Sequence, residues 1–235
     1  MRIAAIVQAR MSSRRLPGKV LTEVAGKSLL HYLHERLKQC RDIDGIVVST
    51  SIDPSDDPVA LFCKRHDIPF FRGSLNHVAQ RFQETLEAFD LDAFVRVNGD
   101  SPLLDQNLID HAVALFRTGD ADLVTNVFPR TFAPGQSVEV VRGSVFREIC
   151  PRLSDPQDQE HVTRFFYLHP EDFKIVNFRA AKTYPPMHLA VDTPSDLDRF
   201  RSMVQRMTKP HHLYTLDELS DLHVAVSDAA QGAAT

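Results

Sequence analysis

The chain has 235 residues, 43% of them hydrophobic and 25% charged, with a formal net charge of −4. That is enough for one α/β domain with a buried core, and its mild acidity excludes a broad positive field for nucleic acid or a membrane surface. No leader-like or membrane-spanning apolar run is present, and the three cysteines, Cys40, Cys63 and Cys150, suit neither a disulfide framework nor a zinc site. The expectation is a cytoplasmic protein in a reducing compartment.

Residues 2–8 (RIAAIVQ) read as a buried strand, and 28–40 as a helix capped by Ser28. A β-branched strand follows at 45–51, then a helix over 53–66 that opens on prolines and carboxylates, with Asp56 and Asp57 as caps. Residues 68–73 form a short strand, and 74–89 a helix with Leu75, Val78, Phe82 and Leu86 on one face. A strand at 92–100 runs into a polar turn, a helix spans 107–118, and a strand spans 121–126. This alternation predicts a mainly parallel central sheet with helices on both faces. After residue 127 come a turn-rich loop, an alternating strand (SVEVVRG), a helix at 143–150 and another around 157–168. Strands at 173–180 and 187–192 lead to a closing helix, 193–207, with Thr193 as N-cap and Pro194 at its first position. The organisation is one domain over 1–208, with halves of about 1–126 and 127–208, and a C-terminal segment, 209–235, that is partly disordered and frays from 228.

The positive charge is concentrated locally. ARMSSRRLPGKVL, residues 9–21, holds Arg10, Arg14, Arg15 and Lys19 with no acid, directly after the first strand. A strand leading into a basic turn is where α/β sheets bind phosphate, with backbone N–H groups and arginines facing the anion. Pro17-Gly18 sets a tight turn there. The stretch lacks both the P-loop pattern and the dinucleotide fingerprint, and a solvated basic loop remains the alternative. Asp100 ends a central strand, where it could ligate Mg²⁺ or simply cap the turn before Pro102. Asp192 by itself reads as part of a helix-start signal, Asp-Thr-Pro. Among the eleven histidines none forms a metal-binding H-E-x-x-H pattern.

IVQARMSSRRLPGKVL resembles the opening signature of the cytidylyltransferases that activate acylneuraminate and Kdo sugars, within them the spore coat polysaccharide branch. IDGIVVSTSIDPSDD, FFRGSLNHVAQRF, VRVNGDSPLLD, EHVT and LAVDTPSDL extend the resemblance over residues 2–205. It implies a Rossmann-like nucleotide-diphospho-sugar transferase fold and a homodimer. It also implies transfer of CMP from CTP to an acidic sugar, with release of pyrophosphate and Mg²⁺ as cofactor. By resemblance, Lys19, Arg15 and Asp100 are catalytic, and Asp100 and Asp192 form the metal pair. Arg10, Arg15, Gly18, Lys19, Arg72, Arg81, Asn98, Gly99 and Asp100 bind nucleotide, Arg81 having a solvent-facing position as its alternative. Ser137, Glu139, Glu160 and His161 face the acceptor, although a helix start capped by Asp158 also accounts for 159–161.

Two departures stand out. Ser13-Arg14 replaces the Gly-Ser or Gly-Thr frequent in such chains, which adds charge to the loop. Ser137 stands where an acidic residue is common, which leaves the sugar open. Three other functions therefore stay in view: a nucleotidyltransferase using UTP or dTTP, a glycosyltransferase consuming nucleotide-sugars, and a nucleotide-binding protein without turnover.

Overall fold

The structure, a computed structural model, describes residues 1–232. Its first half follows the predicted alternation: β1 (Ile3–Gln8), α1 (Leu29–Leu37), β4 (Gly45–Ser51), α2 (Asp57–Arg65), β5 (Phe70–Gly73), α3 (Val78–Ala88), β6 (Ala93–Asn98) and α4 (Gln106–Thr118). A small antiparallel pair, β2 (Glu23–Val24) and β3 (Lys27–Ser28), sits between β1 and α1. Then come β7 (Leu123–Thr125), β8 (Glu139–Arg142), α5 (Gly143–Ile149), α6 (Pro156–Glu160), α7 (Arg164–Leu168), β9 (Ile175–Asn177), α8 (Pro194–Arg206) and α9 (Leu216–Gly232). Caps fall where short polar side chains were expected. The Ser28 hydroxyl accepts from His31 N, and Thr193 and Asp196 form a reciprocal capping box at the start of α8.

Seven strands form one sheet in the order β5-β4-β1-β6-β8-β7-β9. Strands β5, β4, β1 and β6 are mutually parallel; β8 runs antiparallel to both its neighbours, and β9 pairs parallel with β7. β8 thus separates β7 from β6, an insertion that periodicity along the chain does not reveal. In β1, Ile3, Ala5 and Val7 face one core and Ala4 and Ile6 the other, so helices cover both sides. On the second side Phe94 packs between Phe82 and Phe146, at ring-centroid distances of 5.4 and 5.1 Å. Each such pair contributes about 1 kcal/mol beyond simple burial.

Four expectations change. Residues 187–192 form no strand; they lie as an extended segment across the sheet's end, with Leu189 N donating to Pro134 O and Val191 N to Asp100 O, both at 2.8 Å. The helix around 157–168 is two short ones, because Thr163 between them donates its hydroxyl to the buried Glu139 at 2.7 Å. The cap of α6 is Asp155, while Asp158 pairs with Arg164. The C-terminal segment is helical and packed: Leu216, Leu219 and Val226 of α9 are buried in the core. Residues 228–232 continue that helix, and 233–235 of the expected frayed tail lie outside the described residues.

Candidate active site

Parallel pairing aligns the carboxyl ends of β1 and β6, with Gln8 opposite Asn98. Beyond that edge the chain turns twice. Gly99 N donates to Gln8 O at 2.9 Å, and an added Cβ at Gly99 would stand 2.9 Å from the same oxygen. Only a glycine lets the two turns approach this closely. Residues 9–18 form the basic loop, closed by Gly18 N donating to Met11 O at 2.8 Å, with Gly18 at φ +72°. The loop then enters a single 3-10 turn, 19–21, rather than an α-helix.

A cleft of about 500 Å³ opens between this loop, the end of β6, α6 and Asp192, a volume suited to a small ligand. Its lining holds five cations, Arg10, Arg14, Arg15, Lys19 and Arg96, against three carboxylates, Asp100, Glu160 and Asp192. At the centre Lys19 Nζ donates to Asp100 Oδ2 at 2.7 Å and to Asp192 Oδ1 at 2.8 Å. Arg15 reaches the same Asp192 oxygen at 2.8 Å, and Arg10 pairs with Glu160 at 2.8 Å. The Lys19 side chain is 9% exposed and that of Arg15 65%, so Lys19 forms the stronger contact; exposed pairs contribute at most about 1 kcal/mol. Burial works against ionised Asp192, but the Lys19 hydrogen bond and the Lys19 and Arg15 charges outweigh it. The carboxyl is held below its ordinary pKa. The Arg10 hydrogen bond does the same for Glu160. Thr193, not Asp192, caps α8, which leaves the Asp192 side chain for the cleft.

Ser137 and Glu139 lie beside the cleft rather than in it, in a second cavity of about 300 Å³ that shares Arg96, Asn98 and His161 with the first. Arg130 donates to Ser137 Oγ at 2.9 Å. Glu139 is buried and accepts from Arg96 at 2.6 Å, Thr163 at 2.7 Å and Tyr167 at 2.5 Å. Burial opposes its charge, yet Arg96 and the two hydroxyls prevail and depress its pKa. Burial and the Glu139 charge raise that of Tyr167. A carboxylate depressed in the fold stabilises it above its unfolded pKa and loses that effect as pH falls through the folded value. Glu139→Gln should therefore cost about 3 kcal/mol near neutrality, because it breaks a buried pair. Urea titrations at several pH values should show the gap from wild type narrowing below about pH 4.5; a gap constant with pH would refute the ionised, stabilising role.

Two expected nucleotide ligands stand elsewhere. Arg72, within β5, donates to Ser51 O and Asp53 O and pairs with Asp57, bracing the turn into α2. Arg81 is fully buried, neither in the cleft nor on the solvent face, because its helix turns it inward to Ser49 Oγ and Ser74 O. Gly18 shapes the loop from behind the lining. Asp56 makes no side-chain capping bond. It is buried and accepts from Met11 N at 2.7 Å and from the Ser51 hydroxyl, so it anchors the basic loop. Sequence reasoning missed Asp56, Gln8 and Arg96. The last two carried a signal, a polar side chain interrupting or ending an apolar strand; Asp56 carried none among its acidic neighbours.

Known proteins resemble this chain in sequence and in fold. Over 211 residues the chain is 33% identical to the spore coat polysaccharide biosynthesis protein SpsF of Bacillus subtilis, covering 86% of this chain and 85% of that one. It is 33% identical over 116 residues to the 3-deoxy-manno-octulosonate cytidylyltransferase of Geobacter metallireducens, covering 48% and 44%. A cytidylyltransferase structure from Leptospira borgpetersenii superposes with a TM-score of 0.87 at 27% identity, over 99% of this chain and 94% of that chain. A CMP:2-keto-3-deoxy-manno-octonic acid synthetase structure, complexed with CTP, shares the fold at a TM-score of 0.68 and 18% identity, over 88% and 100%. The cytidylyltransferase family profile matches residues 4–219. From the first strand into the last helix, the chain belongs to the cytidylyltransferase family.

Proposed function

We propose that this protein transfers CMP from CTP to a hydroxyl of an acidic sugar and releases pyrophosphate. The observation that carries the reading is the meeting of Lys19, Asp100 and Asp192, from three separate segments, at one point of an arginine-lined cleft. Arg10, Arg14 and Arg15 line that cleft; there they would face the charge that the β- and γ-phosphates gain as the leaving group departs, and such placed cations contribute several kcal/mol to lowering the barrier. The acceptor oxygen attacks the α-phosphorus, the bond to the β-phosphate oxygen breaks, and the protein's main task is to align the two.

Magnesium fits the donor set: two carboxylate oxygens bonded to one central cation are hard ligands in the number that Mg²⁺ takes from proteins. Asp100 and Asp192 would hold the ion, which supplies charge neutralisation at the phosphates. An acidic acceptor is supported by the neighbouring cavity. There the Glu139 charge is already matched by Arg96, and exposed Arg130 bonds only a neutral hydroxyl, Ser137, among the described residues. A carboxylate would give that guanidinium a charged, bidentate partner.

The test is a screen of CTP, UTP, dTTP and ATP against Kdo, sialic, pseudaminic and legionaminic acids, read by pyrophosphate release. CTP with one acidic sugar should exceed the other nucleotides by at least about tenfold. Release with UTP or dTTP instead would make it another nucleotidyltransferase. CTP binding without turnover would mark a binding protein, and nucleotide-sugar consumption without pyrophosphate a glycosyltransferase.

A further inference from the structure

We infer that Lys19 occupies the position of the divalent cation and must leave it when the ion arrives, so that metal and triphosphate binding are coupled through this one ammonium. The inference rests on the metal pair of the proposed function. Asp100 Oδ2 and Asp192 Oδ1, the oxygens that face one another across the cleft, both accept from Lys19 Nζ, at 2.7 and 2.8 Å. Lys19 is 7% exposed and follows Gly18 at φ +72°, so its stem is held by the loop's closure rather than by solvent. An ammonium and a divalent ion cannot share two oxygens, because their charges repel at contact distance in a poorly solvated site.

Displaced Nζ has few places to go. The cleft beside it is lined by Arg10, Arg14 and Arg15, which repel another cation, and its remaining carboxylate, Glu160, is already paired with Arg10 at 2.8 Å. A triphosphate lying among those arginines changes this, because it offers anionic oxygens to the freed ammonium. Metal alone therefore binds against the loss of two strong hydrogen bonds, and triphosphate removes that opposition. By linkage each ligand strengthens the other to the same degree. The same movement carries Lys19 from the carboxylates to the phosphates, which makes it a positioning residue before it is a catalytic one.

Two measurements on the full chain test the idea, and neither needs turnover. In Mn²⁺ titrations without nucleotide, Lys19→Met should bind the ion at least about tenfold more tightly than wild type. Arg14→Met, which removes a charge from the same lining but from neither carboxylate's hydrogen bonds, should gain less than about twofold. Adding Asp192→Asn to Lys19→Met should abolish the gain. Equal gains for the two single variants, no gain for Lys19→Met, or a gain that survives Asp192→Asn would overturn the proposal. In wild type, amine-reactive labelling of Lys19, read by mass spectrometry, should rise on addition of Mn²⁺ and fall again with inorganic triphosphate; unchanged labelling on Mn²⁺ refutes it. A protein that fails the sugar screen but passes here keeps the coupling. One that passes the screen and fails here loses only this inference.

Discussion

Asp100→Asn should lower CTP-dependent pyrophosphate release by about 10²–10³-fold at ordinary Mg²⁺, the scale on which removal of one placed electrostatic group acts. The substitution keeps side-chain shape and one carbonyl oxygen but removes the charge that faces Lys19 at 2.7 Å. Lys19 retains Asp192 as a partner at 2.8 Å, so the cleft does not lose its only internal anchor. The loss should therefore appear in turnover while the far-ultraviolet circular dichroism spectrum stays that of wild type. If Asp100 holds the proposed Mg²⁺, raising Mg²⁺ should restore part of the rate, because the variant would lose affinity for the ion as well as charge at the phosphates. Wild-type turnover by Asp100→Asn at ordinary Mg²⁺ would remove the aspartate pair from the mechanism.

The second large effect is on stability. Arg36→Met should cost about 3–5 kcal/mol, the range found when one partner leaves a buried charged network. Arg36 is fully buried on the inner side of α1, among Leu29, Leu33 and Leu37. Its guanidinium donates to Leu104 O at 2.7 Å, His211 O at 2.5 Å and Tyr214 O at 2.9 Å, and lies 3.9 Å from Asp105. Burial pulls its pKa down to about 10, which still leaves it charged at neutral pH. Asp105 in turn accepts from Leu216 N at 3.0 Å and from Asn107 N at 2.9 Å. One side chain thus joins α1, the turn after Asp100 and the segment leading into α9. Methionine fills much of the volume but leaves the Leu104 and Tyr214 carbonyls without donors and His211 O with only the Tyr214 N–H at 3.3 Å. Urea unfolding measures the cost, and hydrogen exchange at residues 211–216 should accelerate in native buffer. A change below about 1 kcal/mol would mean that water replaces the guanidinium at those carbonyls.

The contrast between Arg36 and Arg81 on one side and Arg15 on the other shows where sequence reading stops. All three are arginines, and charge suggests solvent or ligand for each. Arg36 and Arg81 lie on the inward faces of their helices; Arg36 meets carbonyls from loops far along the chain, and Arg81 meets the Ser49 hydroxyl of β4 and the Ser74 carbonyl of the turn before its own helix. No local pattern announces those partners. Asp192 illustrates the reverse. Its neighbours Thr193 and Pro194 read correctly as a helix start, and the resemblance, not the spacing, singled out the aspartate. The extended segment 187–191 then carries it to Asp100, through Val191 N on Asp100 O.

Read on its own, the sequence determined the helices and strands of the first half, the caps at Ser28 and Thr193, the basic loop beyond β1 and the polar turn at the end of β6. These depend on interactions within a few residues, on side-chain periodicity and on local hydrogen bonding, all of which are written along the chain. Tertiary structure alone decided that β8 enters antiparallel between β6 and β7, that Asp56 underpins the basic loop, and that α9 packs Leu216, Leu219 and Val226 into the core. It also decided that Lys19 sits between two carboxylates 92 positions apart in the sequence, since Asp100 and Asp192 meet only after the sheet has formed. Contacts of that separation are selected by the shape and charge of the assembled surfaces, which no short stretch of sequence contains.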